Sequence, residues 1–473
     1  MNSLKFSVII PAYKNAEFLA EAIQSVLDQS YPHFEIVVVN DASPDNTPEV
    51  VSQFSDSRIK YIVHNENLGL SAARNSGIRG SDGDWIALLD GDDLFHTDKL
   101  KLHAEFITSN PDVGATYNPR YELNHSAKTI RDIWRPPLKV SLSDLVQGYP
   151  FGPSDMVVKR EWMFRVGLFN VNHTYVGEDL DINCRLALAG CTFLSVDKAL
   201  NYRRYYSGRV LKNLRSCIED TISPLERTFG DPRCPADVLS ICDIAYSQHY
   251  ILWSIIAFLQ GDVDLGQEIF LKAIKHNPTL LIGTPSRFCN IVVNWCIMDD
   301  GAEHEKLIGQ VLDHLPPGQA QPSNEVNLAV ARGFFTKGVR AIIWDRQEVG
   351  LQNLQISLQK GYHLNDQMLR SMTSQLQNYE HEFGEDAALK VLDSLSDSLS
   401  KVGWHSESRM VKGAYYFSQA FQSYHKCEYN KVPIAIGHAI AYNPRYLSNR
   451  GAASILIHSI TRSIDKQQKF ISH

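Results

Sequence analysis

The chain has 473 residues, of which 44% are hydrophobic and 21% charged, with 28 Gly and 20 Pro. That is the make-up of a globular protein with sizeable cores, and it excludes a disordered, collagenous or coiled-coil chain. Lys plus Arg total 46 against 53 Asp plus Glu, a net charge of -7, which argues against a nucleic-acid phosphate backbone as the main ligand.

Phe6 to Ile10 is a compact apolar run closed by Pro11, read as a buried strand rather than a signal peptide. Ala16 to Leu27 then places Phe18, Leu19, Ala22, Ile23, Val26 and Leu27 on one helical face. Phe34 to Val39 is β-branched and almost unbroken, as a strand covered on both sides would be. It ends in the turn formers Asn40 to Thr47, ahead of a helix from about Pro48. Ile59 to Val63 reads as a strand, Leu70 to Ile78 as a short helix, Trp85 to Leu89 as a strand and Asp98 to Thr108 as a helix. The alternation predicts an α/β fold with a doubly wound, mostly parallel, Rossmann-like sheet. In such sheets ligands sit at the carboxyl ends of the strands. No GxGxxG follows the first strand, which disfavours a nicotinamide or flavin oxidoreductase.

The strand from Trp85 emerges into Asp90-Gly91-Asp92-Asp93. Three carboxylates in four positions repel one another, and a divalent cation shared with a diphosphate would offset the cost. A solvated acidic turn capping the next helix is the alternative. Tyr13, just past the first strand, could stack on a base or lid the core. Asp41 could accept from a uracil imide or cap its own turn. Arg74 could grip a diphosphate bidentately or stand exposed. Further on, Gly177-Glu178-Asp179-Leu180-Asp181 opens a helix stopped by Gly190. Acidic residues are favoured in a first helical turn. Gly177 also permits close approach of a ligand.

Taken together, VIIPAYKN, VVNDASPDNT, NLGLSAARNSGI, WIALLDGDD and GEDLDINCRLALAG resemble the family 2 glycosyltransferases, over roughly the first 210 residues. The resemblance implies a GT-A fold, a nucleotide-sugar donor (UDP above all), a divalent cation (Mn2+ or Mg2+) and transfer with inversion. It implies that Pro11, Tyr13 and Asp41 line the nucleobase pocket, with Arg74 on the donor side. Asp90, Asp92 and Asp93 would form the DxD-type site, Asp92 and Asp93 at the metal. Asp179 would be the general base for an acceptor hydroxyl, with Glu178 supporting it or touching the acceptor and Asp181 a capping or surface group. The segment Tyr149 to Asp155 would form part of the acceptor-facing wall. Two departures stand out: Asn40-Asp41 replaces a commoner acidic pair, and in Asn201 to Ser207 Tyr205 stands where a metal-binding His is common, so that Arg203 and Arg204 could meet diphosphate instead. No QxxRW is present, so a single-transfer enzyme is expected rather than a processive synthase.

From about residue 211 helical periodicity takes over. Residues 257–278 align without gaps to 423–444, an offset of 166, and a weaker copy around Trp344 to Leu358 pairs Ser357 with Ala273. Helix, turn and helix with small residues at the crossing resembles tetratricopeptide-type hairpins. The expected organisation is a catalytic domain over 1–210, a helical region over 211–314, a polar loop over 315–325 and a second helical region over 326–473. The helical half would select an acceptor, bind a protein partner, self-associate or buttress the fold. Eight cysteines without a CxxC pair point to a reduced, cytoplasmic chain. No apolar run reaches the ~18 residues that span a bilayer. The tail from Ala452 could lie on a membrane surface or dock as a final helix, so membrane contact would be peripheral at most. The main reading is a glycosyltransferase transferring to a saccharide or lipid-linked acceptor. The rival is a nucleotide-sugar-sensing scaffold or regulator working through its helical repeats.

Overall fold

Phe6–Ala12 (β1) is apolar along almost its whole length. In the computed structural model of the chain, which describes residues 3–124, 129–173, 176–205, 213–298, 303–319 and 323–471, both faces of that strand are covered. Phe6, Val8 and Ile10 pack with Leu19, Ile23 and Val26 of the helix Ala16–Leu27. Ile9 packs on the other side with Ala73 and Ile78 of the helix Leu70–Gly80. Each such fully buried side chain contributes roughly 1.5–3 kcal/mol, so covering both faces fixes the strand in the interior of its sheet.

The remaining strands are Phe34–Asn40 (β2), Ile59–Val63 (β3), Trp85–Leu88 (β4), Leu94–Phe95 (β5), Ala115–Tyr117 (β6), Arg120–Asn124 (β7), Ile130–Trp134 (β8), Lys139–Val140 (β9), Val157–Lys159 (β10), Phe193–Ser195 (β11) and Asn201–Tyr205 (β12). The main sheet runs β3-β2-β1-β4-β10-β6-β11-β9, and a smaller one runs β5-β12-β7-β8. β3, β2, β1 and β4 are parallel, and β10 is antiparallel to both its neighbours. The order reverses at β1, between β2 and β4, which opens a crevice at the carboxyl ends of these strands.

β1 runs two residues further than its sequence indicates, through Pro11 to Ala12. Pairing with β4 ends at Ile9–Leu88, while pairing with β2 continues to Ala12–Asn40. The Ile9 carbonyl accepts from Leu89 N, and the Ala12 carbonyl accepts from Asp41 N. Odd residues therefore bond toward β4, and Pro11, which has no N–H, falls where β4 has already turned away.

The chain divides into two units, Met1–Val326 and Asn327–His473. Helices Leu214–Gly230, Cys242–Leu259 and Val263–His276 belong to the first. Cys217, Ile222, Leu225, Trp253 and Ile269 join the same core as Ile9, Leu88 and Leu186. The helical stretch after residue 211 thus shares its core with the sheet. The second unit is all helical. Phe335 rests against Tyr362 and Trp404, each with ring centroids 5.1 Å away, in a core that takes in Leu392 and Val411.

The internal repeat is a packing repeat. The pairs Cys242–Leu259 with Val263–His276, Ser323–Ile343 with Gln347–Gln359, and His405–His425 with Val432–Tyr442 are helical hairpins that cross at equivalent positions. Ser247 Oγ donates to the Ala273 carbonyl at 3.0 Å, and Ser357 Oγ donates to the Ala331 carbonyl at 2.8 Å. At the third crossing a Cβ on Gly413 would stand 3.3 Å from the Ala439 carbonyl. Each crossing needs a residue no larger than serine. Asn277 and Asn443, both before a proline, accept from the backbone N–H two residues on. Among the described residues no helix is long and apolar enough to cross a membrane. All eight cysteines are free thiols.

Candidate active site

The carboxyl ends of β1, β2 and β4 lead into Tyr13, Asp41 and the Asp90–Asp93 turn. Pro11 ends β1 beside the acidic turn: a Cβ on Gly91 would lie 3.2 Å from the Pro11 carbonyl and 2.2 Å from the Asn15 amide, so only glycine fits there. Tyr13 is 42% exposed, with its ring toward solvent and Lys14 Nζ 5.3 Å above it. It does not lid the core.

Asp41 is buried and fully engaged. One carboxylate oxygen accepts from Leu68 N at 2.9 Å and meets His64 Nδ1 at 2.7 Å, and the other accepts from Gly69 N at 2.8 Å. Gly69, at φ 89°, leads into the helix Leu70–Gly80. Asp41 therefore caps that helix entrance, 28 residues away in sequence, rather than its own turn.

In the acidic turn the three aspartates have different surroundings. Asp90 accepts from Arg74 Nη2 at 2.7 Å, and its N–H donates to Ser154 Oγ. Asp92 is partly exposed. Asp93 points inward and accepts from Arg204 N at 3.1 Å. Burial first, then the charges of Asp92 and Asp90, push its carboxyl well above the usual range. Arg204 Nη1 also donates to the Asp92 carbonyl, its Nη2 pairs with Glu21, and its guanidinium lies 4.7 Å from the Phe18 ring. Arg204 thus clamps the turn from beneath and is not free for a diphosphate.

The second carboxylate group lies at the start of the helix Glu178–Leu188. Glu178 Oε1 accepts from Arg74 Nη1 at 2.7 Å. Asp179 is half-buried and takes one hydrogen bond from Leu180 N. Burial first, then the neighbouring Glu178 charge, push its carboxyl up to about 7. Asp181 faces away from this group and is buried, not the surface group its position in sequence indicates. It pairs with Arg185 and with Arg227, at 2.8 Å from the latter, and lies 3.8 Å from His173. Those partners hold its carboxyl well below the usual range against the cost of burial. Asp181, Arg185 and Arg227 line a cavity of about 620 Å³ with Asn75, Arg79 and Phe169.

Gly177, at φ 84°, approaches the chain and not a ligand: a Cβ there would stand 2.4 Å from the Asp220 carbonyl. The helix Leu214–Gly230 thus seats the Glu178–Asp179 turn directly. The same helix offers Thr221 to the Tyr149 hydroxyl, which burial and the Asp179 charge raise well above its ordinary range. The Tyr149 ring stands edge-on to His249 at 5.7 Å. Thr221 belongs to no motif in the sequence; its signal is a polar residue on the stripe of Leu214, Cys217, Ile218 and Leu225. Asp155, in the segment beginning at Tyr149, is buried against Arg120 and Asn201 and braces the wall. The Tyr205 side chain, Tyr206 and Ser207 lie outside the described residues, as do residues 320–322 of the polar loop.

Among the described residues no three His, Cys, Asp or Glu side chains form a ready-made metal cage. A cation at the acidic turn would draw on Asp92, which like Asp90 is partly exposed but is not paired with Arg74, and on oxygens of its own ligand. Asp93 is turned inward.

The family model for glycosyl transferase family 2 matches residues 7–167. An uncharacterized glycosyltransferase of Rickettsia conorii is 39% identical over 134 residues, 28% of this chain and 22% of that protein. The chain thus spans about a fifth of the length of the rickettsial relatives it matches. The UDP-Glc:alpha-D-GlcNAc-diphosphoundecaprenol beta-1,3-glucosyltransferase WfgD of Escherichia coli is 31% identical over 160 residues, 34% of this chain and 62% of that protein. An uncharacterized glycosyltransferase of Haemophilus influenzae is 30% identical over 175 residues, 37% of this chain and 69% of that protein. With the family model on the sheet and the Haemophilus protein matched over more than two thirds of its length, the chain belongs to glycosyl transferase family 2.

Proposed function

We propose that the chain is an inverting glycosyltransferase that moves a hexosyl group from a nucleotide-sugar, a UDP-sugar, to a hydroxyl of a saccharide or lipid-linked acceptor. The observation that carries this reading is Asp179: a half-buried carboxyl with a pKa pushed up to about 7, joined through Glu178 and Arg74 to the acidic turn. A base poised near neutrality takes a proton most effectively at that pH.

In the reaction the acceptor O–H gives its proton to Asp179 as its oxygen bonds to the anomeric carbon. The bond from that carbon to the diphosphate oxygen breaks with both electrons, and the nucleoside diphosphate leaves. Tyr13 offers an exposed ring to the base of the donor, and Pro11 and Asp41 shape the floor beneath it. Asp90 and Asp92 face the ribose and diphosphate. A divalent cation, Mn2+ or Mg2+, held at Asp92 would supply electrostatic stabilisation of the departing diphosphate. The name of the Escherichia coli relative supports lipid-linked saccharides among the acceptors. Nucleotide-sugar use and eight free cysteines favour the cytoplasm, with peripheral contact at the inner face of the membrane at most.

Calorimetric titration of UDP, GDP and dTDP, with and without manganese, tests the donor site. Manganese-dependent UDP binding that is lost in Asp92→Ala is the expected result. A folded protein that binds none of the three overturns the proposal.

A further inference from the structure

Arg74 sits between the two carboxylate turns with 1% of its side chain exposed. Its Nη2 donates to Asp90 at 2.7 Å and its Nη1 to Glu178 at 2.7 Å. These partners lie 16 and 104 residues away in sequence, one on each acidic turn. The guanidinium lies 5.4 Å from the Phe169 ring, and its Nε has no partner among the described residues. A planar fork with two outward N–H groups can span two carboxylates; a point-like ammonium cannot do so with the same geometry.

A side chain so committed is poorly placed to grip a diphosphate, since a phosphate oxygen would have to displace Asp90 or Glu178. Nor is it an ordinary surface pair. Removing one member of a buried ion pair leaves the other charge uncompensated. Here removal would strand two carboxylates beside Asp179, which already feels the charges of Glu178 and Asp90.

We propose that Arg74 is a positioning residue that locks the Glu178–Asp179 turn to the Asp90–Asp93 turn and so aligns the base with the donor, without itself holding the donor. The inference rests on the transferase reading for the words base and donor, but the lock itself is measurable without either.

The test uses the full chain with Arg74→Lys, Arg74→Met and Glu178→Gln, read by hydrogen–deuterium exchange and by calorimetry with UDP and manganese. Both arginine variants are expected to speed exchange together in peptides covering residues 88–95 and 176–182, while the β1–β2 peptides keep their protection. Glu178→Gln, which removes one arm, is expected to loosen residues 176–182 alone. It decides the matter if Arg74→Met fails to fold. UDP affinity should stay within about threefold of the parent in Arg74→Lys. With UDP-glucose as donor probe and water as acceptor, losses of turnover in Arg74→Lys and Glu178→Gln should combine to no more than the larger single loss, because the two residues act as one unit. Unchanged exchange at both turns would overturn the lock. A tenfold weaker UDP affinity with turnover preserved at saturation would overturn it in favour of a donor contact. Absence of UDP binding in the parent would instead sink the transferase reading and leave the exchange result to stand or fall by itself.

Discussion

Asp179 and Asp181 lie two residues apart on one helix and meet opposite fates. Asp181 is the more deeply buried, yet Arg185 and Arg227 surround it and keep it ionised. Asp179 is pushed toward protonation by burial first and then by the charges of Glu178 and Asp90, with only the Leu180 N–H and the Arg74 guanidinium against them. Burial raises both carboxyls, so burial alone does not decide which of them can act as a base. The partners do, and the helix separates them by pointing residues 179 and 181 about 200° apart. One face carries a structural ion network and the other a group that titrates near neutrality.

The difference is broken most forcefully at Asp179. Asp179→Asn keeps the shape and removes the proton acceptor, so turnover with any accepted donor is expected to fall roughly 10²–10⁴-fold, with UDP affinity in calorimetry unchanged. Residual transfer within tenfold of the parent would remove the base assignment. At Asp181 the expected loss is of stability. Asp181→Asn leaves Arg185 and Arg227 without their carboxylate, and because both arginines reach solvent the cost should be about 2 kcal/mol, at the low end for a broken buried pair. A thermal melt at pH 8 should show it as a fall of about 4–8 °C. Gly177→Ala sharpens the comparison from the backbone side. Its φ of 84° and the Asp220 carbonyl 2.4 Å from the would-be Cβ should together cost about 2–4 kcal/mol. Exchange should rise at residues 176–182 and 217–223 together, since one helix seats the other.

Much of this was legible locally. The run FSVII before Pro11, the strand FEIVVV and the helix opened by Gly177-Glu178-Asp179 are written in contiguous residues, and each element lies where its pattern indicates. The acidic turn was legible as a turn, because three carboxylates at a strand end have few other uses. What escaped was long-range. Asp41 spends its oxygens on Leu68 and Gly69, Arg74 on residues at positions 90 and 178, and Arg204 on the turn more than a hundred residues earlier. An arginine in a helix looks the same in sequence whether it faces water or two carboxylates. The boundary of the first unit was hidden for a similar reason. Helical periodicity announces the helices after residue 211, but not that Cys217 and Leu225 pack into the core of the sheet.

The smallest expected effect tests the same contrast through pH. An unfolded Asp carboxyl titrates near 4, whereas in the folded chain Asp179 titrates near 7. Between those values the folded chain holds a proton that the unfolded chain has released, so this group lowers stability progressively as pH rises from about 4 to about 7. Above 7 the penalty is complete, and below 4 it is absent. Asp179→Asn removes the charge that has to be buried, and should raise the melting temperature at pH 8 by roughly 2–4 °C, with the gain vanishing by pH 4. Asp181 has the reverse sign. Its folded value is depressed, so its contribution is full at neutral pH, and Asp181→Asn should stay destabilising down through pH 5, because the contribution is lost only in strong acid. Melting curves of the two variants from pH 4 to 8 should therefore separate as pH rises, with Asp179→Asn climbing relative to the parent and Asp181→Asn remaining below it. Parallel displacement of both variants in one direction would mean that the two aspartates share an environment, and the division of labour along this helix would fall.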